Sequence, residues 1–205
     1  MTFNCPQCAN ALTLRFKYSK LTRCSSCQST IFLEDETVLS LGKINLLSDE
    51  PTLLSLDTPF TYGKSSFLPI GKIRYAHTIG FWEEWFVLDK EDKGVWISVD
   101  EGDMLIEEPL DLDDEVIENI LRHKKLGDDV KINKKHYRIT EKEKGLCQGF
   151  EGEIDRKVTI GESLEYMHLT ALHHTEHITL EKEGRVYEAY IGKWIDIYEL
   201  KGEDA

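Results

Sequence analysis

Two pairs of cysteines near the start of the chain constrain its folding more than any other feature. Cys5 and Cys8 enclose two residues, Cys24 and Cys27 enclose two more, and 15 residues separate the pairs. Zinc takes four thiolates at tetrahedral corners about 2.3 Å from the metal, and a turn with two residues between cysteines directs both sulfurs to one point. The spacing therefore predicts a zinc ribbon over residues 1–33, with one structural Zn2+ bound by all four cysteines.

A redox disulfide is the alternative interpretation of these cysteines. One such pair fits redox chemistry, but two pairs at this spacing, without a thioredoxin-like βαβ pattern, favour a metal. With four ligands supplied, the metal has no open position for catalysis, so its predicted role is structural. The fifth cysteine, Cys147, has no cysteine neighbour and no histidine-plus-acid pattern around it. It is predicted to be a buried, inert thiol.

The remainder of the chain is a series of short apolar runs between turn signals that recur about every ten residues, which is typical of all-β sandwiches and barrels. Residues 194–200 are predicted to form one of its last strands. The predicted fold is mainly β: a zinc ribbon (residues 1–33), a connector (residues 34–57) and an acidic, mostly antiparallel β-sandwich or barrel-like domain (residues 58–205). Within the connector, residues 37–41 are predicted to add a strand to either neighbour.

The sequence predicts at most one short helix. Four apolar residues recur at helical spacing between a candidate N-cap and a glycine that would end the helix. They are Val116, Ile117, Ile120 and Leu121, with Asp113 before them and Gly127 after them.

The charge of the chain is unevenly distributed. Residues 1–33 carry Arg15, Lys17, Lys20 and Arg23 and no acid, a formal charge of +4, while the remainder carries −17 and the whole chain −13. Affinity for a phosphate backbone depends on Lys and Arg, so the acidic body would repel nucleic acid. Nucleic acid is therefore not an expected partner of the body, and it stays open for the ribbon alone.

Two absences in the sequence bear on location. No apolar run approaches the roughly 20 residues that a helix needs to cross a bilayer, so we do not expect an integral membrane protein. The start of the chain lacks the basic and apolar segments of a signal peptide. We expect a cytoplasmic protein, because thiols stay reduced there and can bind metal.

The sequence FWEEWF sets two acids among aromatic rings. In a strand, Glu83 and Trp85 face one side, and Trp82 and Glu84 face the other. If a hairpin turn precedes this strand, Arg74 lies opposite one of the acids and a cross-strand ion pair explains them. The alternative is a carboxylate in an aromatic pocket that binds a small cation. The candidate ligand-binding residues are then Trp82, Glu83, Glu84 and Trp85.

A histidine cluster, His173, His174 and His177, is the other candidate site. On a helix, His173 and His177 would share a face with Glu176 nearby, but the flanking residues indicate strands, which favours a polar surface turn. We find no phosphate loop, nucleophile elbow or H-E-x-x-H motif. Any enzymatic site would be assembled from scattered Glu, His and Tyr residues.

Several stretches, taken in order, resemble the family called domain of unknown function 4178, whose members often begin with a two-knuckle zinc ribbon. The matching stretches are residues 67–75 (FLPIGKIRY), 82–88 (WEEWFVL), 95–98 (VWIS), 137–139 (YRI), 150–154 (FEGEI) and 187–193 (YEAYIGK). The resemblance covers roughly residues 1–35 and 53–200. One departure is that Ala9 and Gln28 stand where such ribbons often have glycine.

The resemblance implies architecture more than chemistry, because the family carries no established activity. Its members occur beside genes for polyamine-type synthesis and membrane-remodelling proteins, which would suit a cationic ligand. Our leading hypothesis is a non-enzymatic binding or scaffolding protein with a protein partner, accessory to such a system. The alternatives are an enzyme with an unrecognised site in the β domain, or a nucleic-acid accessory factor that acts through the basic ribbon.

Overall fold

The computed structural model describes residues 2–34, 37–42, 47–48, 50–172 and 175–202. It confirms a mainly β fold with large antiparallel sheets. The elements, in chain order, are β1 (Thr2–Asn4), β2 (Ala11–Thr13), β3 (Leu21–Arg23), β4 (Thr30–Glu34), β5 (Thr37–Gly42), β6 (Phe60–Tyr62), β7 (Ser65–Ala76), β8 (Phe81–Leu88), β9 (Gly94–Asp100), β10 (Asp103–Pro109), α1 (Asp114–His123), β11 (Asp129–Ile132), β12 (Lys135–Gly152), β13 (Ser163–Ala171), β14 (Glu176–Glu183), β15 (Val186–Ile195) and β16 (Lys201–Gly202).

The ribbon consists of two small antiparallel sheets. Strand β1 pairs with β2, and β3, β4 and β5 form the second sheet in that order. The connector thus contributes its strand to the ribbon, since β5 pairs with β4.

Eight strands close into an antiparallel ring in the order β7, β8, β9, β10, β15, β14, β13 and β12, and β12 pairs again with β7. Two four-stranded meanders form this barrel, and the segment with α1 and β11 connects them. The 18-residue β12 closes the ring because its first part pairs with β13 and its last part with β7. An eight-stranded barrel has an interior just wide enough for side chains to fill.

Residues directly opposite each other in an antiparallel pair share a face, so the register identifies the side chains inside the barrel. The inward polar side chains include Glu84, Ser98, Asp100, Glu107, Glu141, His168, Thr170, His177, Thr179, Glu181, Glu183 and Glu188. Aromatic rings occupy much of the remaining interior. One of them, the indole of Trp82, lies against Gly145, where a Cβ atom would come within 1.9 Å of the ring.

Apolar side chains cover the outside of the barrel in two layers. Helix α1 packs Ile117, Ile120 and Leu121 against β14 and β15, in an apolar cluster that includes the fully buried Leu169 and Leu180. On the other side, the connector and β6 cover β7 to β10 around Trp85, Val87 and Ile97, which cluster with Leu54 and Phe60. The apolar faces of these strands thus point outward under a cover, and many acids point inward.

The ribbon packs against one end of the barrel. Leu21 of β3 is buried in the same apolar cluster as Phe86 and Ile154, and the rings of Phe16 and Phe86 meet edge to face at 5.2 Å. Backbone hydrogen bonds join Leu21 and Ile154 in both directions, at 3.0 and 2.9 Å. The ribbon and the barrel therefore share a core.

Two local predictions differ from the structure in detail. The helix forms as predicted, but it ends at His123, before Gly127. The predicted strand over residues 194–200 is wrong beyond Ile195: Asp196 accepts a hydrogen bond from the backbone N–H of Tyr198, and residues Ile197–Glu199 form a 3-10 helix.

Over the described residues, no helix has the length and apolar character needed to cross a bilayer.

Candidate metal centre and barrel interior

The four cysteines of the ribbon lie together, with ligand atoms within 4.8 Å of one another. The sulfur atoms of Cys5 and Cys27 are 3.7 Å apart, as are those of Cys8 and Cys24. A disulfide needs about 2.05 Å, whereas four sulfurs at about 2.3 Å from one ion are about 3.8 Å apart. The geometry and the donor set therefore fit a tetrahedral metal. Among the described residues, no other group of three or more potential ligands meets the same distance criterion.

Each cysteine pair is followed by a residue with left-handed backbone. Ala9 has φ +60° and Gln28 φ +63°, and their N–H groups donate to the carbonyls of Cys5 and Cys24 at 2.8 and 2.9 Å. These hydrogen bonds close the turns that aim the sulfurs. Residues with a Cβ atom adopt this conformation at a cost that glycine does not have.

We expect Ala9→Gly to stabilise the metal-loaded ribbon by up to about 1 kcal/mol, because it relieves this cost. Ala11→Gly, two residues later in a strand, should instead destabilise it by about 0.5–1 kcal/mol. Chelator competition monitored at equilibrium would measure both effects. Equal destabilisation by the two variants would contradict this explanation.

Strand β8 divides the four candidate ligand-binding residues between its two faces. Trp82 and Glu84 point into the barrel, where the indole N–H of Trp82 donates to Glu84 at 3.2 Å. Glu83 and Trp85 lie on the outer face, where the indole N–H of Trp85 donates to Glu83 at 3.1 Å. The two carboxylates therefore belong to different clusters.

The outer carboxylate pairs with bases across the β7–β8 ladder. Arg74 lies directly opposite Glu83 and donates to it at 2.7 and 3.1 Å, and Lys72 lies 3.3 Å from the same oxygen. Arg74 also donates to Ser48 and stacks on the ring of Phe81. Arg74 and Glu83 are 1% and 2% exposed, so this cross-strand pair is buried rather than at the surface.

Glu83→Gln should cost about 2–3 kcal/mol of unfolding free energy, because it leaves the buried guanidinium of Arg74 without a charged partner. Glu151→Gln is the matched control, since Glu151 pairs with the same Lys72 at 3.5 Å but is partly exposed. The control should cost less than about 1 kcal/mol. Denaturant unfolding would compare the variants, and similar small losses would show that the outer pair contributes little.

The inner carboxylate belongs to a cluster around one guanidinium. Arg156, in the segment after β12, enters the barrel at the ribbon end and pairs with Glu84. Its other terminal nitrogen lies 3.3 Å from both Glu181 and Glu188 and 3.2 Å from the Tyr190 hydroxyl. The guanidinium also lies 4.2 Å from the centroid of the Trp96 ring. We refer to Arg156, Glu84, Glu181, Glu188, Tyr190 and Trp96 as the guanidinium cluster.

Beyond this cluster the barrel interior keeps a small cavity of about 20 Å³, large enough for about one water molecule. Four of its nine lining residues are acids: Glu84, Asp100, Glu107 and Glu181. Burial raises the pKa of Glu107 to about 7, and the hydrogen bond from Thr179 offsets only part of this rise. Burial also raises the pKa of Glu181. The interior thus holds more carboxyl groups than its one arginine can neutralise.

The raised pKa of Glu107 predicts a stability that depends on pH. Because the folded chain holds this proton between pH 4.5 and 7 and an unfolded glutamate does not, the contribution of Glu107 falls as pH rises through that window. Each pH unit changes it by up to about 1.4 kcal/mol. Glu107→Gln keeps an acceptor for Thr179 and should be about 3 kcal/mol more stable than the natural chain at pH 8 and equal to it near pH 4.5.

Denaturant unfolding at several pH values would measure this difference. Glu108→Gln, at the next position and exposed on the outer face, is the control and should change stability little at any pH. If Glu107→Gln gave the same pH profile as the natural chain, Glu107 would have an ordinary pKa in the folded state.

A second polar cluster lies at the barrel end away from the ribbon. The ring of His168 is 2.9 Å from Glu141, and Tyr166 donates to the same carboxylate at 2.6 Å. The hydrogen bond with His168 lowers the pKa of Glu141 to about 2, and burial lowers the pKa of His177 to about 3. His177 lies in β14, is 2% exposed and meets the ring of His168 edge to face inside the barrel, so the predicted polar surface turn is wrong for this residue. The other two histidines of the predicted cluster, His173 and His174, lie outside the described residues.

An open cleft of about 350 Å³ adjoins the guanidinium cluster at the ribbon end of the barrel. Its lining combines aromatic and apolar side chains with three acids, Asp111, Asp155 and Glu188, and it includes Arg156. Burial and the charge of Glu188 raise the pKa of Asp155 to about 6, and one oxygen of Asp155 is buried without a hydrogen-bond partner. Clefts of this volume at barrel mouths are common ligand sites.

Sequence reasoning found Trp82 and Glu84 but missed their partners. Arg156 follows Glu84 by 72 residues and Glu188 follows Arg156 by 32, and no motif links them. The available signal was the alternation in β14, where Thr179, Glu181 and Glu183 share one face and Ile178 and Leu180 the other. An acidic face of a strand usually indicates exposure to solvent. This face of β14 lies inside only because the strands close into a ring.

The fold and these sites define a small antiparallel barrel with a four-cysteine ribbon packed on one end. The family model described as domain of unknown function (DUF4178) matches residues 55–197, and the chain belongs to that family. The family resemblance of the sequence is thereby confirmed. Comparison with curated proteins gave no match, and comparison with solved structures gave none.

Proposed function

We propose that this chain is a non-enzymatic binding protein that takes an organic cation, a protonated amine or a guanidinium, at the ribbon end of its barrel. One observation carries the proposal: the guanidinium of Arg156 is already held there by three carboxylates, a tyrosine hydroxyl and an indole ring. Charge-assisted hydrogen bonds and a ring face are the features by which proteins recognise such cations.

Two further features support a site for a cation beyond Arg156. The cleft beside Arg156 has the volume of a small-molecule site, and its acids Asp111, Asp155 and Glu188 outnumber its one arginine. Glu188 accepts from Tyr190 at 2.9 Å and its side chain is 39% exposed, so it can meet an incoming ligand. A polyamine fits this chemistry, and so does a lysine or arginine of a protein partner.

The ribbon in this proposal holds one structural zinc ion through Cys5, Cys8, Cys24 and Cys27. Four thiolates with tetrahedral spacing suit zinc and complete its coordination. We propose a cytoplasmic location, where these thiols stay reduced. The family context of polyamine-type synthesis and membrane-remodelling proteins suits an accessory role there.

Isothermal titration of the zinc-loaded protein with spermidine and with a short lysine- and arginine-rich peptide tests the proposal. We expect saturable binding of at least one of them at one per chain, weakened at least tenfold in Glu188→Gln. Glu118→Gln, an exposed position on α1, is the matched control and should bind as the natural chain does. Preference for spermidine would indicate a small-molecule ligand, and preference for the peptide a protein partner. Binding of neither would overturn the proposal.

An enzyme is the second candidate, because His168 and Glu141 form an imidazole–carboxylate pair of the kind used in general base catalysis. The enclosed cavity that His168 lines admits about one water and no substrate, which favours binding at the open cleft instead. His168→Gln separates the two functions. It should leave cation affinity unchanged if the cleft is the site, whereas a loss of affinity would place the ligand in the barrel interior.

A further inference from the structure

The segment that carries Arg156 is hydrogen-bonded to the ribbon immediately before Arg156 enters the barrel. The buried carboxylate of Glu153 accepts hydrogen bonds from the backbone N–H groups of Arg15 and Phe16, at 2.9 to 3.1 Å, and from the Ser19 hydroxyl at 2.9 Å. Only two residues lie between Glu153 and Arg156. A displacement of this attachment would therefore displace the guanidinium.

The next residue makes a second attachment. The carbonyl of Ile154 accepts from the N–H groups of Lys20 and Leu21, at 2.7 and 3.0 Å, and the N–H of Ile154 donates to Leu21 at 2.9 Å. Ile154 is completely buried, together with Leu21. Three backbone hydrogen bonds and an apolar contact thus add to the three donors that Glu153 receives.

All the ribbon residues that make these attachments lie between the two cysteine pairs. The segment from Arg15 to Leu21 is joined to Cys8 at one end and to Cys24 at the other. A ribbon of this size has little core, so its fold depends on the metal that the cysteines hold. Without metal, Glu153 would lose its donors, and a buried carboxylate without donors is unstable in that position.

We propose that the metal-loaded ribbon is a latch that holds Arg156 in the barrel mouth, and that loss of the metal releases Arg156 and opens the carboxylates to an incoming cation. The inference rests on the proposed cation site for its ligand, but the latch itself is defined by protein contacts alone. Arg156 acts as an internal ligand that competes with the external one. A cation must displace it or bind beside it while the metal is present.

Hydrogen–deuterium exchange of the full chain tests the latch without any ligand. We compare the zinc-loaded protein with protein treated with a chelator under reducing conditions. A peptide covering residues 153–158 should exchange at least tenfold faster after chelation, because the N–H of Ile154 loses its acceptor. A peptide from β13 should keep its exchange rate. Unchanged exchange at 153–158, or equally accelerated exchange in β13, would overturn the latch.

Glu153→Gln provides a test with the metal retained. The amide loses the charge that the three ribbon donors stabilise, so residues 153–158 should exchange faster while the zinc content stays at one per chain. Glu151→Gln, two residues earlier, should change neither quantity, since Glu151 pairs with Lys72 of β7. If residues 153–158 exchanged in Glu153→Gln at the rate of the natural chain, the hydrogen bonds of Glu153 would not be what holds this segment in place.

The effect of the ribbon on cation affinity is measured by titrating spermidine into Cys24→Ser and into the natural zinc-loaded chain. We expect at least fivefold tighter binding in the variant, since Arg156 no longer competes. Equal affinity would contradict the proposal that the metal-loaded ribbon controls access of a cation to the carboxylates. If neither spermidine nor the basic peptide bound to either protein, the proposed function would be rejected. The exchange measurements would still test whether the ribbon holds Arg156 in place.

Discussion

Cys24→Ser should abolish metal binding and unfold the ribbon, while the barrel still unfolds cooperatively. The thiol of Cys24 is fully buried among the four sulfurs, and a serine hydroxyl does not replace a thiolate ligand at neutral pH. Structural zinc contributes about 10 kcal/mol or more to the folding of small zinc-dependent modules. We expect one zinc per chain in the natural protein and none in the variant, as measured by elemental analysis of reduced, chelator-free protein.

Cys147→Ala is the matched control for this prediction. Cys147 lies inside the barrel, and burial raises the pKa of its thiol to about 12, so it stays protonated and unreactive. The variant should keep its zinc and lose at most a few kcal/mol through packing. Full metal content in Cys24→Ser, or loss of metal in Cys147→Ala, would show that the ligands are assigned wrongly.

Arg156→Met should destabilise the barrel by about 3–5 kcal/mol at pH 7, because it leaves buried carboxylates without their counter-charge. The buried Glu181 already has a raised pKa with the guanidinium present. Without Arg156 the folded chain should take up protons more readily than the unfolded chain, so stability should recover as the pH falls toward 5. Denaturant unfolding at both pH values measures this effect.

Arg185→Met, at an exposed turn between β14 and β15, is the control for the loss of an arginine. It should change stability by about 0.5 kcal/mol or less at either pH. Adding Glu84→Gln to Arg156→Met should restore part of the loss, because one uncompensated charge is removed. A small loss in Arg156→Met that did not vary with pH would contradict a charge-compensating role for Arg156.

The ribbon and the fold class could be predicted from sequence because their signals are local. Two residues between cysteines define a turn, and the alternation along β8 separates Trp82 and Glu84 from Glu83 whatever surrounds them. The helix was equally visible, since Ile117, Ile120 and Leu121 recur at its period. These predictions need no knowledge of which strand pairs with which.

The barrel interior could not be predicted because it depends on the closure of the ring. The acids Glu107 and Glu181 alternate with apolar residues, a pattern that normally indicates a solvent face. Instead, α1 covers the apolar side of β14, and Leu54 and Phe60 cover that of β10. Arg156 lies in an irregular segment with no periodicity, and its position follows from the contacts of Glu153 with the ribbon. Those contacts join residues 134–138 positions apart in the chain.

Chemical rescue of Arg156→Gly tests most directly whether the guanidinium cluster is a site for an organic cation. The variant removes the internal ligand and leaves space where the guanidinium lay between Glu84 and Glu181. Ethylguanidinium at millimolar concentrations should raise its melting temperature saturably and restore at least half of the stability lost, whereas the uncharged isostere ethylurea should not. Equal effects of the two compounds, or no saturable effect of ethylguanidinium, would contradict a cation site at this end of the barrel.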